Sequence, residues 1–363
     1  MFTVTFLGDL YPGEYYQQRL ERVGGANLLK TKGYRYSFDR IHGLIRDQDA
    51  LVANLETPLT DAARSPFLGE KKYLHYGDIR ETPQLLDNYG IRQVSLANNH
   101  VLDYGVAGLE QTLAVLGSHG IGAFGAGLSA AAAAEPMVLQ KKPGDAVRIV
   151  VAAGFEYREE YERRYNYYAS AFRAGGVRML NVGAGVNGWT AGTAAAQLQA
   201  LREANPDAYL IAFPHWGKNY AWKTAGQTAM AEAMIDAGAD LIIGHGAHAL
   251  QEIDEYKGKW IVYSVGNSVF NSPGRYAKMG SVRASLVARL SVEARGGLRP
   301  AVTVRLYPIL SDNLLTGYQP RPLGYDEVVA VREALRSLNS TRVNVEKTLE
   351  IEKDPRGYCF RLG

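Results

Sequence analysis

Two histidines stand three residues apart in the stretch Gly244–Gln251, GHGAHALQ, directly after the apolar run Ala239-Asp240-Leu241-Ile242-Ile243. The chain has only seven histidines, and the carboxyl end of a strand is where an α/β fold keeps its chemistry. Four other apolar runs end in a similar way. Phe2–Leu7 leads into Gly8-Asp9, and Ala50–Ala53 into Asn54-Leu55-Glu56. Gln93–Ala97 leads into Asn98-Asn99-His100 and then Asp103, and Ala208–Pro214 into His215-Trp216-Gly217. One Asn-His after a strand is most simply a cap or a turn. Five such clusters on one rim would instead gather Asp9, Glu56, Asn99, His100, Asp103, His215, His245 and His248. Carboxylates, imidazoles and an amide oxygen together form the donor set of a divalent cation of intermediate hardness. Ionisable groups gathered in one cleft also suit acid–base work.

For these groups to meet, the strands must lie parallel in a sheet with their carboxyl ends aligned. Short apolar runs predict strands at Phe2–Leu7, Ala50–Asn54, Gln93–Ala97, Arg148–Ala153, Ala208–Phe213, Leu241–Ile243 and Trp260–Ser264. Helical spacing predicts helices near Phe38–Arg46, Thr82–Asn88, Val106–His119, Ala194–Ala204, Ala225–Ala237 and Asp326–Asn339. Their alternation is that of a layered α/β protein. Arg283–Val292 and Ala301–Leu310 alternate like exposed antiparallel strands, with Glu293–Gly297 as the turn. Ala130–Pro136 reads as a short helix running into a proline stop. Tyr157–Tyr168 (YREEYERRYNYY) carries five tyrosines among alternating charges. It reads first as a solvated helix, and second as a wall or lid touching substrate. His42 and His119 are expected to be structural. His75, near Lys71 and Lys72, is expected in a solvated loop, with a rim contact to an anion as the alternative.

The totals limit the choices. With 363 residues, 47% of them apolar and 21% charged, the chain can bury a sizeable core as a soluble protein. A net charge of +3, without a basic run interleaved with aromatics, argues against nucleic acid. The single cysteine, Cys359, excludes an intrachain disulfide and reads as incidental. No run reaches the roughly 18 apolar residues of a membrane helix, and Met1–Leu7 reads as a core strand with no leader features. A cytoplasmic location is therefore expected. No fixed repeat or linker is visible.

Taken in order, these residues resemble the CapA family of bacterial poly-γ-glutamate capsule-synthesis proteins, built on a calcineurin-like metallophosphoesterase fold. The matching pieces are GDL at Gly8–Leu10, NLETPLT at Asn54–Thr60 and SLANNHVLDYGVAGLEQT at Ser95–Thr112. HWG at His215–Gly217 and GADLIIGHGAHALQEIDEYKGKWIVYSVGN at Gly238–Asn267 complete the set. The resemblance implies a four-layer αββα sandwich over residues 1–310, with 311–363 as an extension packed on the same domain. It implies metal ligands at Asp9, Asn54 or Glu56, Asn99, His215, His245 and His248, holding one or two ions. The donors suit manganese, zinc, iron, calcium or magnesium. It also implies an acid–base partner at His100, oriented by Asp103. A histidine held by a carboxylate has a fixed tautomer and a raised pKa, which suits proton transfer near neutral pH.

Three positions depart from the family pattern. Tyr11 stands where a metallophosphoesterase carries the His of Asp-x-His. Gly246 and Ala247 replace the second His and the Pro of Gly-His-His-Pro-His, and Asn219 stands where a Glu commonly follows HWG. These changes favour one well-held ion over a tight two-metal clamp. The activity expected first is hydrolysis of a phosphoester, a peptide or a polyglutamate-like amide, with a cation activating water and His100 protonating the leaving group. The resemblance also allows peptide epimerisation, as in ribosomal- and lasso-peptide tailoring. There His100 with Asp103, and one of His215, His245 or His248 with Asp9 or Glu56, would move a Cα proton between faces. A non-catalytic role in polymer synthesis is the third reading.

Overall fold

The first strand, Phe2–Tyr11, is buried along nearly its whole length because it has neighbours on both edges. The computed structural model describes residues 1–142, 144–145, 147–170, 183–295, 298–338 and 349–362. In it the first strand runs parallel to Ala50–Leu55, which pairs in parallel with Gln93–Ser95 and through it with Gly122–Phe124. Its other edge takes Ala284–Arg295 antiparallel, followed outward by Leu298–Leu310, Gly357–Leu362 and Glu350–Asp354. Ten strands make up this sheet. The second sheet has seven, with Ile149–Glu156, Tyr209–His215, Leu241–Ile243 and Lys259–Val262 parallel at its centre.

Side chains alternate between faces along a strand, and that alternation separates the layers here. Val151, Ala153, Ile211, Phe213 and Ile243 face the first sheet and share a core with Val4 and Phe6. The rings of Phe6 and Phe213 meet with centroids 5.6 Å apart. Val150, Ala152, Leu210, Ala212 and Ile242 face the other way, onto Leu198 of helix Ala191–Ala204 and Met230 and Met234 of helix Ala225–Asp236. Both helices begin with a threonine capping box, at Thr190 and Thr224. Helices Glu81–Asn88 and Gly105–Ser118 bury Leu85, Leu86, Leu109 and Leu116. The arrangement is an α/β, four-layer αββα sandwich.

Most expected elements lie within a few residues of the predicted ranges, and three expectations need correction. Phe38–Arg46 is not an α-helix but two short 3₁₀ turns, Tyr34–Phe38 and His42–Leu44. Its buried Phe38, Ile41, Leu44 and Ile45 are spaced as an α-helix would space them, but the backbone closes into tighter turns. Ala284–Leu290 is buried, not exposed, because the strand lies inside the sheet with a neighbour on each edge. His75 is buried as well, against the solvated loop expected for it. Gly296 and Gly297 of the expected turn and Asn339 of the last helix lie outside the described residues. Among the described residues no helix is long and apolar enough to cross a membrane.

Candidate metal centre

Sheet register sets Asp9 opposite Asn54 on one side and Asn267 on the other. The register shifts between Phe6 and Asp9, a bulge of the kind that re-aims a side chain near a site. His215 ends its strand and forms an isolated bridge with His245 of the next loop. The predicted strand ends therefore converge. Asp9 Oδ1 lies 3.1 Å from His245 Nδ1 and 3.7 Å from His215 Nδ1, and the two imidazole nitrogens are 3.2 Å apart. Asp9 Oδ2 lies 3.3 Å from His248 Nδ1. Glu56 Oε1 is 3.7 Å from His248 Nε2, 3.9 Å from His215 Nε2 and 3.9 Å from His100 Nε2.

Two metal-binding triads can be drawn through this cluster, Asp9–His215–His245 and Asp9–Glu56–His248, with Asp9 in both. All five residues are buried. Both Glu56 oxygens and His245 Nε2 have no hydrogen-bond partner. Buried polar atoms without partners are costly, and a cation among mixed oxygen and nitrogen donors would satisfy the Glu56 carboxylate. The donor set thus fits a divalent ion.

The GHGAH loop reaches its position through unusual backbone. Gly246 has φ +95°, and a Cβ there would lie 2.9 Å from His215 Cδ2 and from the Trp216 nitrogen. Glycine is required at such a point, and its N–H donates to Asp9 Oδ2 at 3.0 Å. The glycine that departs from the family pattern therefore serves Asp9 with its backbone. His248 is itself left-handed, at φ +59°. The buried Tyr276 hydroxyl donates to its carbonyl at 2.9 Å, and Asn267 Oδ1 lies 2.9 Å from its Nδ1.

Asn54 and Asn99 play different parts. Asn98 Nδ2 donates to Asn54 Oδ1 at 3.1 Å, which turns the Asn54 amide nitrogen toward Asp9, 3.0 Å away. In this arrangement Asn54 steadies the carboxylate. Asn99 Nδ2 donates to the Tyr161 hydroxyl at 3.4 Å, while its buried oxygen has no partner.

Beside the triads stands a buried histidine–carboxylate pair. His100 Nδ1 is 2.6 Å from Asp103 Oδ2, which also accepts the His75 N–H at 2.6 Å. Asp103 Oδ1 accepts from the Lys71 ammonium, which also bonds the Asn99 carbonyl. Lys71 and Asp103 side chains are 6% and 0% exposed. The His75 ring stacks on His100 at 3.5 Å and on Tyr11 at 3.8 Å, so the tyrosine found in place of the family histidine closes a three-ring stack.

Charge in the pocket follows burial and neighbours. Burial raises the Asp9 pKa, but bonds from His245 and His248 outweigh it and hold the carboxyl well below its usual range. Burial pushes Glu56 well above its usual range, only partly opposed by His248. Burial disfavours a charged His248, yet Glu56 and Asp9 lift it to about 9. His215 is pushed down chiefly by burial, and so is His100, contrary to the raised pKa expected for it beside Asp103, because burial and the nearby Lys71 charge disfavour its charged form.

The cluster opens into a cavity of about 630 Å³ lined by His100, Asn99, His248, Tyr161 and Asn219, among others. Helix Glu159–Tyr165 forms part of its wall through Tyr161, Tyr165 and the paired Arg164 and Glu160, while Arg163 pairs with Glu159 on its exposed side. The solvated helix expected here is found, and it also lines the cavity. His42 is exposed, edge-on to Tyr89, and His119 pairs with Asp87 at 3.1 Å; neither joins the site.

The sandwich thus carries a cluster of buried Asp, Glu and His groups at its strand ends. Residues 3–272 match the family described as bacterial capsule synthesis protein PGA_cap, and the chain belongs to that family. The PGA biosynthesis protein CapA of Bacillus subtilis is 27% identical over 277 residues, 75% of this chain and 64% of that protein. The chain therefore spans less than two thirds of that relative. A probable polyglutamine synthesis accessory protein of Mycobacterium tuberculosis is 32% identical over 262 residues, covering 71% of this chain and 66% of its own length. A phosphatase from Mycoplasma pneumoniae superposes with TM-score 0.38 at 12% identity, over 84% of this chain and 93% of its own. That likeness is too slight to speak to activity.

Proposed function

We propose that this chain is a metal-dependent hydrolase of phosphoesterase type, acting on a phosphoester or on an amide of a peptide or polyglutamate-like chain. The observation that carries the reading is the Asp9 carboxylate common to both triads, with the unpartnered Glu56 between them and His100. A divalent cation held there supplies Lewis acidity and lowers the pKa of a water. Asp9, Glu56, His215, His245 and His248 are its ligands, with Asn54 steadying Asp9 and Asn99 offering its free oxygen at the edge. His100 takes the proton-transfer role. Asp103 fixes its Nδ1 side, so Nε2 faces Glu56 and the cavity. Burial lowers the His100 pKa, so near neutral pH the ring is neutral and suited to take up a proton that it then passes to the leaving group.

A specific arrangement supports a second reading. His215 and His245 with Asp9, and His100 with Asp103, form two imidazole–carboxylate pairs with Glu56 between them. Such pairs suit removal of a Cα proton from one face and its return on the other, as in a peptide epimerase. A non-catalytic part in polymer synthesis has less support, because so many buried ionisable groups serve no purely structural need.

One experiment separates these readings. Purified protein is incubated in deuterium oxide with bis(p-nitrophenyl) phosphate and, separately, with a γ-glutamyl peptide. Hydrolysis releases nitrophenol or peptide fragments, whereas epimerisation adds deuterium without cleavage. His100→Ala abolishes the activity while the metal stays bound. Metal-loaded protein that acts on neither probe would count against hydrolysis of these substrate classes.

A further inference from the structure

The wall of the cavity is aromatic and cationic, and most of its positive charges are already matched. Lys71 pairs with Asp103, Arg158 with Glu156 and Arg164 with Glu160. Among the described residues Arg19, Lys72 and Arg275 line the same cavity without an ion pair. Arg19 and Lys72 are exposed, so solvent screens them. Arg275 is half-buried and held in place.

Its guanidinium carbon lies 5.3 Å from the Tyr220 ring centroid and 5.9 Å from that of Tyr73. Tyr220 is tied to the metal centre. Its backbone N–H donates to the carbonyl of Ala247, the neighbour of His248, at 2.6 Å. Its ring lies 5.7 Å from that of His248. Tyr276, the next residue after Arg275, is buried and bonds both the His248 carbonyl and the Ser311 hydroxyl. A guanidinium stacked on aromatic rings keeps its planar fork of donors free, in the geometry that carboxylates and phosphates accept. A buried-edge position also spares the ligand much of the ordering cost.

We propose that Arg275 is a specificity-determining residue that binds a second anionic group of the ligand, a carboxylate or a phosphate, while the reacting group lies at the Asp9–Glu56–His100 end of the cavity. This rests on the functional reading above for the position of the reacting group, but not on the reaction being hydrolysis. The ligand it implies carries at least two separated polar centres, one for the cation and one for the guanidinium.

The test reads binding and does not depend on turnover. Equilibrium binding of tri-γ-glutamate, as the carboxylate probe, and of inorganic pyrophosphate, as the phosphate probe, is followed by tyrosine fluorescence. As-purified and EDTA-treated proteins are compared. At least one probe is expected to bind the wild type, and the one that binds identifies the anion. Arg275→Gln weakens that binding about ten- to a hundredfold, the range for hydrogen bonds to charged groups. Arg275→Lys, which keeps the charge, recovers part of the loss. The proposal is overturned if the wild type binds neither probe, if Arg275→Gln stays within twofold of it, or if Arg275→Lys recovers nothing. Metal-loaded protein that shows the Arg275 effect but cleaves neither a phosphoester nor a γ-glutamyl peptide would refute hydrolysis alone.

Discussion

Replacing Asp103 by asparagine keeps the size of the side chain and removes the charge opposite Lys71. That pair is almost wholly enclosed, at 6% and 0% exposure. Breaking a buried pair from one side leaves an uncompensated charge and costs about 3–5 kcal/mol. Asp103→Asn is therefore expected to lower unfolding free energy by about that amount in urea at neutral pH. Lys71→Met alone leaves a buried carboxylate and costs a similar amount. The double variant leaves neither charge, so its cost falls below the sum of the singles by about 3 kcal/mol, the upper end of couplings between residues in contact. Among the described residues the Asp103 side chain bonds Lys71, His75 and His100 but no triad residue, so the metal content of all three variants stays at the wild-type level. The denaturation series reads the first quantity and elemental analysis the second. Asp103→Asn costing under about 1 kcal/mol, or strictly additive single and double variants, would refute the reasoning.

Two further outcomes are expected. Gly246→Ala forces a Cβ to within 2.9 Å of His215 Cδ2 at φ +95°, so it should displace His215 and lower metal occupancy at least severalfold; an alanine variant with unchanged occupancy would show that the loop yields. Glu14 is raised by burial from 4.5 to about 7, opposed by its bonds to Thr82 and Asp78. Because the folded state keeps this proton longer than the unfolded chain, the contribution is full below pH 4.5. It falls as pH rises to about 7, by about 3 kcal/mol in all, and is flat above. Glu14→Gln removes that slope, so urea stability of wild type minus variant should drop by that order between pH 4 and 8. Parallel curves would show that Glu14 titrates normally.

The rim of the site was legible in the sequence because strand ends are local features. Asp9, Glu56, His100, His215, His245 and His248 each follow an apolar run, and parallel pairing brings such ends together. What stayed hidden depends on neighbours distant in the chain. Asn267 faces Asp9 only through sheet register. His75 stacks on His100 from a loop whose exposed Lys72 and Tyr73 make it look solvated. The pair Lys71 and Lys72, one buried and one exposed, carries no local mark of which turns inward. The 3₁₀ turns at 34–44 carried no such mark, because Phe38, Ile41, Leu44 and Ile45 have the spacing of an α-helical face.

The central claim is that separate strand ends jointly hold a cation through Asp9. Its most direct test is elemental analysis by inductively coupled plasma mass spectrometry of the purified wild type beside Asp9→Asn and His245→Ala, each checked for folding by circular dichroism. One or two equivalents of a divalent metal are predicted in the wild type, with most of it gone from both folded variants. A folded wild type that stays metal-free when offered manganese, zinc, iron, calcium and magnesium, or folded variants that retain its full complement, would contradict the account.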